Sequence, residues 1–247
     1  MKICIIGGHG KVALLLHPLL VEGGHEVSAL IRNQDHAEEV DETGAQSVVA
    51  DVETMDTEAL AAQFAGFDAV IWSAGAGGGN PDRTYAVDRD AAIRAIDAAK
   101  QAEVPRFVMV SYVGSGRDEV PEDNPFHHYA TAKAAADEHL RASGLNWTVV
   151  APGQLTEDVP SGKIEYGDHV TEGRTSRGNV AQVVAAAVGR ADLNGISIWF
   201  RDGVHPIWLA LDSLVRRESG QTFNVLSEGV GPDGPFIQGV DADPPRD

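Results

Sequence analysis

Tyr129 and Lys133 stand four residues apart in Tyr129-Ala-Thr-Ala-Lys133, so on a helix their side chains share one face, one turn from each other. An ammonium beside a phenol favours the phenolate and is expected to lower its pKa, turning a weak acid into a usable acid–base group. The stretch Val110-Ser111-Tyr112-Val113-Gly114-Ser115-Gly116 lies upstream and ends a strand-like run. It offers two hydroxyls, Ser111 and Ser115, beside the pair.

A second constellation is Gly7-Gly8-His9-Gly10-Lys11-Val12-Ala13, which follows the first apolar run and opens the first helical pattern. Gly7 permits a tight turn, Gly8 or Gly10 lets a phosphate approach the backbone, and Ala13 allows close helix–strand packing. His9, Lys11 and Val12 complete the turn at a helix N-terminus, whose free amides and positive dipole end suit the pyrophosphate of a dinucleotide. At the end of the second strand, where an NAD-binding protein usually carries an acid for the ribose hydroxyls, this chain has Arg32-Asn33. That favours the 2′-phosphate of NADP, with NAD left open because Asp35 lies close by. Asp51, after the third strand, can accept from the adenine amino group or serve as a loop or capping residue. Ser73, Ala74 and Gly75 begin a glycine-rich run to Gly79 at the end of the fourth strand, where ligands bind in open parallel sheets.

The elements that must hold these residues alternate along the chain. Apolar runs predict strands at Lys2–Ile6, Glu26–Ile31, Gln46–Ala50, Ala69–Ser73, Arg106–Ser111 and Trp147–Ala151. Between them, helical patterns cover Lys11–Glu22, Asp35–Glu42, Thr57–Phe64, Thr84–Ala102 and Tyr129–Ala142, with Asn179–Arg190 following later. Gly23, Gly44, Gly66 and Gly144 act as stops, and Pro18 should bend the first helix. Such alternation is the signature of βαβ units on a parallel sheet. After Pro152 the chain turns Gly- and Asp-rich up to Gly178, with a further strand at Ile196–Phe200 and a helix from Ile207 to about Arg217. We expect one domain over residues 1–228, with a substrate-covering segment over 152–228, and a tail with little structure over 229–247. The heptapeptide Phe200–Pro206 is echoed by Leu226–Pro232, but one echo does not make a repeat protein.

Composition excludes several classes. Lys plus Arg number 19 against 37 Asp plus Glu, a net charge of −18, which disfavours nucleic acid and anionic membrane surfaces as partners. No apolar stretch approaches the roughly 20 residues of a membrane span, and the N-terminal apolar run is too short for a signal-peptide core, so a cytoplasmic location is expected. Cys4 alone cannot form an internal disulfide or a multi-thiolate metal site, and the histidines, His127-His128 included, lack metal-ligand spacing. Neither a Gly-x-Ser-x-Gly elbow nor a Walker phosphate loop occurs.

Gly7–Ala13, the Tyr129/Lys133 pair, Pro152-Gly153 after the sixth strand and Thr175-Ser-Arg-Gly-Asn-Val-Ala181 together resemble the short-chain dehydrogenase/reductase family, in its atypical NAD(P)H-binding, epimerase-like branch. The resemblance runs from Met1 to about Leu214. It implies a Rossmann-like doubly wound parallel sheet of order 3-2-1-4-5-6, with room for a seventh strand. It further implies that Lys133 holds the nicotinamide ribose, Tyr129 exchanges the proton, Pro152 and Gly153 line the nicotinamide, and Ser111, or else Ser115, orients the carbonyl; strand-end packing or turn bonding accounts equally well for Ser111. Asn179 stands where the family usually has Asp and is expected to act as an N-cap. The implied function is NADP-dependent oxidation or reduction of a small carbonyl, quinone or similar acceptor, by a monomer or homodimer. An NADP sensor without turnover is the first alternative. A nucleotide-sugar epimerase or dehydratase is the second, disfavoured by the short region after Pro152.

Overall fold

The computed structural model describes residues 1–77 and 80–218. Strands β1 (Lys2–Ile6), β2 (Glu26–Ile31), β3 (Gln46–Val49), β4 (Ala69–Trp72), β5 (Phe107–Val110) and β6 (Trp147–Pro152) pair in parallel in the spatial order β3-β2-β1-β4-β5-β6. The doubly wound order expected from the sequence is therefore present. Strand β10 (Ile196–Asp202) adds a seventh parallel strand beside β6. Two strands that the sequence reading left as loop or turn, β8 (Lys163–Tyr166) and β11 (His205–Pro206), extend the edge in antiparallel fashion. A separate parallel pair joins β7 (Gln154–Thr156) to β9 (Arg174–Ser176).

Both faces of the sheet are covered, which is why its strands read as near-continuous apolar runs. In β1, Ile3 and Ile5 point to one side, packing in a core with Leu16 and Leu20 of α1 (Lys11–Glu22) and Val180 and Val184 of α7 (Arg177–Val188). Cys4 and Ile6 point to the other. There they meet Leu60 and Phe64 of α3 (Thr57–Phe64), Ala95 and Ile96 of α5 (Ala92–Gln101), and Ala136 and Leu140 of α6 (His127–Ala142). Burial pushes the Cys4 thiol up to about 12, so it is an inert core group.

Helix α1 continues through Pro18. A short α2 (Ala37–Asp41) follows a 3-10 turn at Gln34–His36, and α8 (Ile207–Glu218) packs Leu211 into the first core. The long helix expected from Thr84 is built in three parts: α4 (Pro81–Thr84), a π-helical stretch over Tyr85–Ala91, and α5. Wide π turns occur frequently at functional sites, and this one carries the buried Asp88. The proposed tail over 229–247 and the second half of the heptapeptide echo lie outside the described residues.

Candidate functional site

The sheet order reverses between β1 and β4, because the chain winds outward through β2 and β3 and then returns. Open parallel sheets bind ligands in the crevice at the carboxyl ends of such strands. Here the crevice holds two adjoining cavities, about 740 Å³ and about 340 Å³, that share Gly10, Ser73, Ala74 and Gly75 along their common wall.

The glycine turn forms this wall. Gly7 has φ +82°, and a Cβ there would lie 2.6 Å from the Ala74 Cα. A Cβ on Gly8 would lie 2.6 Å from the Ala29 Cβ, so both glycines answer to packing within the protein. Gly10 differs: a Cβ would meet Gly7 O at 3.1 Å, and the residue borders both cavities. Gly10 is the N-cap of α1 and has no side chain to cap it, and the first turn holds no acid. The leading amides of α1 therefore lack a side-chain partner and face the crevice as an anion-binding end, which fits a dinucleotide pyrophosphate.

The smaller cavity is lined by Gly7, His9, Arg32, Asn33, His36, Asp51 and Glu53, among others. The Arg32 Nη1 and the Arg83 Nε each lie 3.6 Å from Glu53 Oε2, a loose arrangement at a solvent-exposed rim. His9 stacks on His36 with ring centroids 3.6 Å apart and meets Glu39 through Nε2 at 2.7 Å. Asp35, the acid that left NAD open, lies outside this cavity: Asn33 caps the turn by accepting from the Asp35 amide.

The larger cavity collects Lys11, Val12, Ser111, Phe126, Tyr129 and Lys133 with Asp88 and Arg177. Lys133 is 1 % exposed and its Nζ donates to Val110 O at 2.9 Å. Its charge acts on Asp88, whose carboxyl burial nonetheless raises; Asp88 in turn accepts from the Ala76 amide at 3.1 Å. Tyr129 packs between Tyr112 and Phe126, with ring centroids at 5.6 Å and 5.1 Å. Burial, with the charges of Asp88 and Asp137, pushes its phenol well above the ordinary tyrosine range. This overturns the expectation that Lys133 lowers the Tyr129 pKa: desolvation wins, and the phenol is held protonated. Ser111 donates to Asp137 Oδ2 at 2.5 Å, and Ser115 donates to the same oxygen at 2.6 Å.

The structure thus brings Gly7, His9, Gly10, Lys11, Val12, Arg32, Asp51, Ser73, Ala74, Gly75, Ser111, Tyr129 and Lys133 to the two cavities. It does not place Gly8, Pro152 or Gly153 in their linings. Pro152 is sheet-bonded beside Phe200, and Gly153 is glycine because a Cβ would fall 2.2 Å from Gly173 O, where β7 crosses β9. Asn179 is not the N-cap of α7: Ser176 caps it. The Asn179 amide instead donates to Asp202 Oδ1 at 2.7 Å and accepts from Gly162 N at 2.9 Å, tying α7 to β8 and β10. Sequence reasoning missed Asp88 and Asp137. Their signal is a carboxylate inside an otherwise Ala-rich buried helix face, Asp88 among Val87, Ala91 and Ala92, and Asp137 one turn beyond Lys133. Among the described residues no cluster of His, Cys, Asp and Glu is arranged to hold a metal, and no helix is long and apolar enough to cross a membrane.

Comparison with known proteins agrees with this geometry. A family profile described as NAD(P)H-binding matches residues 7–191. An uncharacterized sugar epimerase of Bacillus subtilis strain 168 is 33% identical over 216 residues, covering 87% of this chain and 100% of that protein. Among solved structures, a Bacillus halodurans protein named for NAD-dependent epimerase/dehydratase chemistry superposes with a TM-score of 0.80 at 35% identity, covering 87% of this chain and 100% of its own. The oxidoreductase ylbE from Lactococcus lactis superposes with a TM-score of 0.79 at 30% identity, covering 87% and 97%.

Proposed function

The chain belongs to the NAD(P)H-binding family, with relatives of the atypical short-chain dehydrogenase/reductase type, and from that premise we propose that it is an NADP-dependent oxidoreductase reducing a small carbonyl, quinone or similar acceptor. The observation that carries this reading is the continuity of the two cavities through Gly10 and Ser73–Gly75, with a phosphate-seeking end at Arg32 and a proton-donating end at Tyr129.

A reduced nicotinamide supplies hydride when bound. The chain's own residues do the rest. Gly10 and the first turn of α1 take the pyrophosphate. Arg32, released from its 3.6 Å pairing with Glu53, can meet a 2′-phosphate in bidentate fashion, which the ammonium of a lysine could not. Lys133, fixed by Val110 O, orients the ribose next to Tyr129. A carbonyl oxygen becoming an alkoxide needs a proton, and the phenol of Tyr129, which lines the larger cavity with Lys133, can give it. The relatives' names favour a second reading, an epimerase or dehydratase.

The test is titration of the purified protein with NADPH and NADH, followed by a panel of carbonyls and quinones monitored by cofactor absorbance. Tighter NADPH binding and turnover of a panel member are expected. Tighter NADH binding would remove the NADP assignment, and binding without any turnover would leave a dinucleotide sensor.

A further inference from the structure

Asp137 is 0 % exposed on α6, one turn beyond Lys133 and two beyond Tyr129. One of its oxygens, Oδ2, takes the hydroxyl protons of both Ser111 and Ser115, while Oδ1 has no protein partner. The two serines belong to different places. Ser111 lines the large cavity with Tyr129. Ser115 lines another cavity, of about 300 Å³, whose rim residues Gly116, Arg141 and Gly195 are exposed and whose wall includes Trp199. The two cavities have no lining residue in common.

We infer that Ser115, Asp137 and Ser111 form a proton relay joining the catalytic cavity to the protein surface by a route separate from the crevice that admits cofactor and substrate. The inference rests on the reductase reading, which requires one proton for each hydride. With Asp137 ionised, Ser111 spends its single proton on the carboxylate and shows the cavity only lone pairs. With Asp137 protonated, the carboxyl can donate to Ser111, whose hydroxyl is then free to turn its proton toward the cavity.

The steps balance. Hydride brings two electrons to the carbonyl carbon, and Tyr129 gives its proton to the oxygen. Ser115 passes its proton to the Asp137 carboxylate and is reprotonated by water in the surface cavity, which leaves hydroxide to the solvent. Asp137 hands that proton to Ser111 as Ser111 gives its own to the phenolate. No relay group is changed at the end, and no electron passes through it. The charged and titratable groups around the relay are Tyr112 from the loop after β5, with Asp118 acting on it, Tyr129, Lys133 and Arg141 on α6, and Arg117 beside the Ser115 cavity. The Asp137 charge contributes to raising both phenols, Tyr112 to about 12. A net proton entering Asp137 would ease both.

Ser115→Ala cuts the relay at a residue outside both cofactor-side cavities. With NADPH and phenanthrenequinone, or otherwise the fastest acceptor of the panel, NADPH affinity and KM should stay unchanged. We expect kcat to fall about tenfold or more, a share of what acid–base catalysis contributes. Imidazole, as a diffusible proton donor, and Ser115→Thr, which keeps the hydroxyl, should each restore it. Asp137→Asn should lose the same turnover. It should also remove, from the infrared difference spectrum between neutral and mildly acid pH of the protein without substrate, a carboxyl stretch that shifts in heavy water. Wild-type kcat in Ser115→Ala, or a loss that neither imidazole nor Ser115→Thr reverses, would overturn the relay. If the wild-type protein turns over nothing, the reductase reading fails by itself, and the absence of an Asp137 carboxyl band would then overturn proton uptake separately.

Discussion

Arg32 and Lys133 sit at opposite ends of one crevice and are held in opposite ways. The Arg32 side chain is 57% exposed and 3.6 Å from Glu53, whereas Lys133 is 1 % exposed and bonded to Val110 O at 2.9 Å. An exposed, loose ion pair contributes roughly 0–1 kcal/mol, so exchanging Glu53 for a ligand phosphate costs little. A buried cation with a fixed hydrogen bond loses little freedom when a ligand arrives, and that preorganisation is what chemistry demands. The Arg32 end of the crevice is built to exchange partners, and the Lys133 end to keep them.

Substitutions can break or sharpen this contrast. The largest effect is expected where the two halves meet. Gly10→Val should abolish dinucleotide binding while the protein stays folded, because its Cβ needs only a small adjustment against Gly7 O. Gly8→Val should instead cost the fold itself, since its Cβ would sit 2.6 Å from Ala29. Circular dichroism together with NADPH titration separates the two; retained affinity in a folded Gly10→Val variant would take the turn out of the site.

Next comes the catalytic half. Tyr129→Phe should lower kcat by about 10²-fold or more with NADPH affinity nearly intact, as expected for loss of a general acid. Lys133→Met should harm both affinity and turnover, since it removes the proposed ribose contact and leaves Asp88 with Arg83 alone of the two cations that act on it. A Lys133→Met protein with wild-type affinity would dissolve the contrast between fixed and exchangeable cations.

On the adenine side the effect should be smaller and selective. Arg32→Asp should weaken NADPH by roughly 10–100-fold, the range of a charged hydrogen bond of about 1.5–3 kcal/mol, and leave NADH almost unchanged. Equal loss for both cofactors would show that Arg32 does not read the 2′-phosphate.

The smallest effect lies outside the crevice. His17 is buried in α1, bonded to Thr43 Oγ1 at 3.0 Å, and burial lowers its imidazole to about 4. Between pH 6.5 and about 4 the unfolded chain binds a proton on His17 that the folded chain refuses, so stability falls as pH is lowered through that window. His17→Gln should flatten this part of the stability profile without changing NADPH binding at neutral pH.

The same contrast governs how much was legible in the sequence. Strands β1, β4 and β5 read correctly because each is an apolar run buried on both faces, the edge strand β3 reads only through its Val48-Val49 pair, and the glycine turn reads because its position between strand and helix is local. Strands β8 and β11 were invisible: they are two to four residues long and exist only through long-range pairing, β8 with β10, as in Phe200 opposite Tyr166, and β11 with β8, as in His205 opposite Ile164. Ser111 was visible as a residue type, but its direction was not, because Asp137 is 26 positions away in sequence and becomes its partner only when α6 packs on the sheet. The pKa of Tyr129 was misread for a related reason. The four-residue spacing to Lys133 was evident, whereas the desolvation that outweighs it comes from Phe126, Tyr112 and the packed helix.

The reductase account is tested most directly by NADPH consumption with the carbonyl and quinone panel, run in parallel on the wild-type protein and Tyr129→Phe at matched cofactor saturation. The account predicts turnover by the wild-type protein and a loss of about 10²-fold or more in the variant, with both binding NADPH equally. Equal rates in the two proteins, or NADPH binding with no turnover by either, would contradict it.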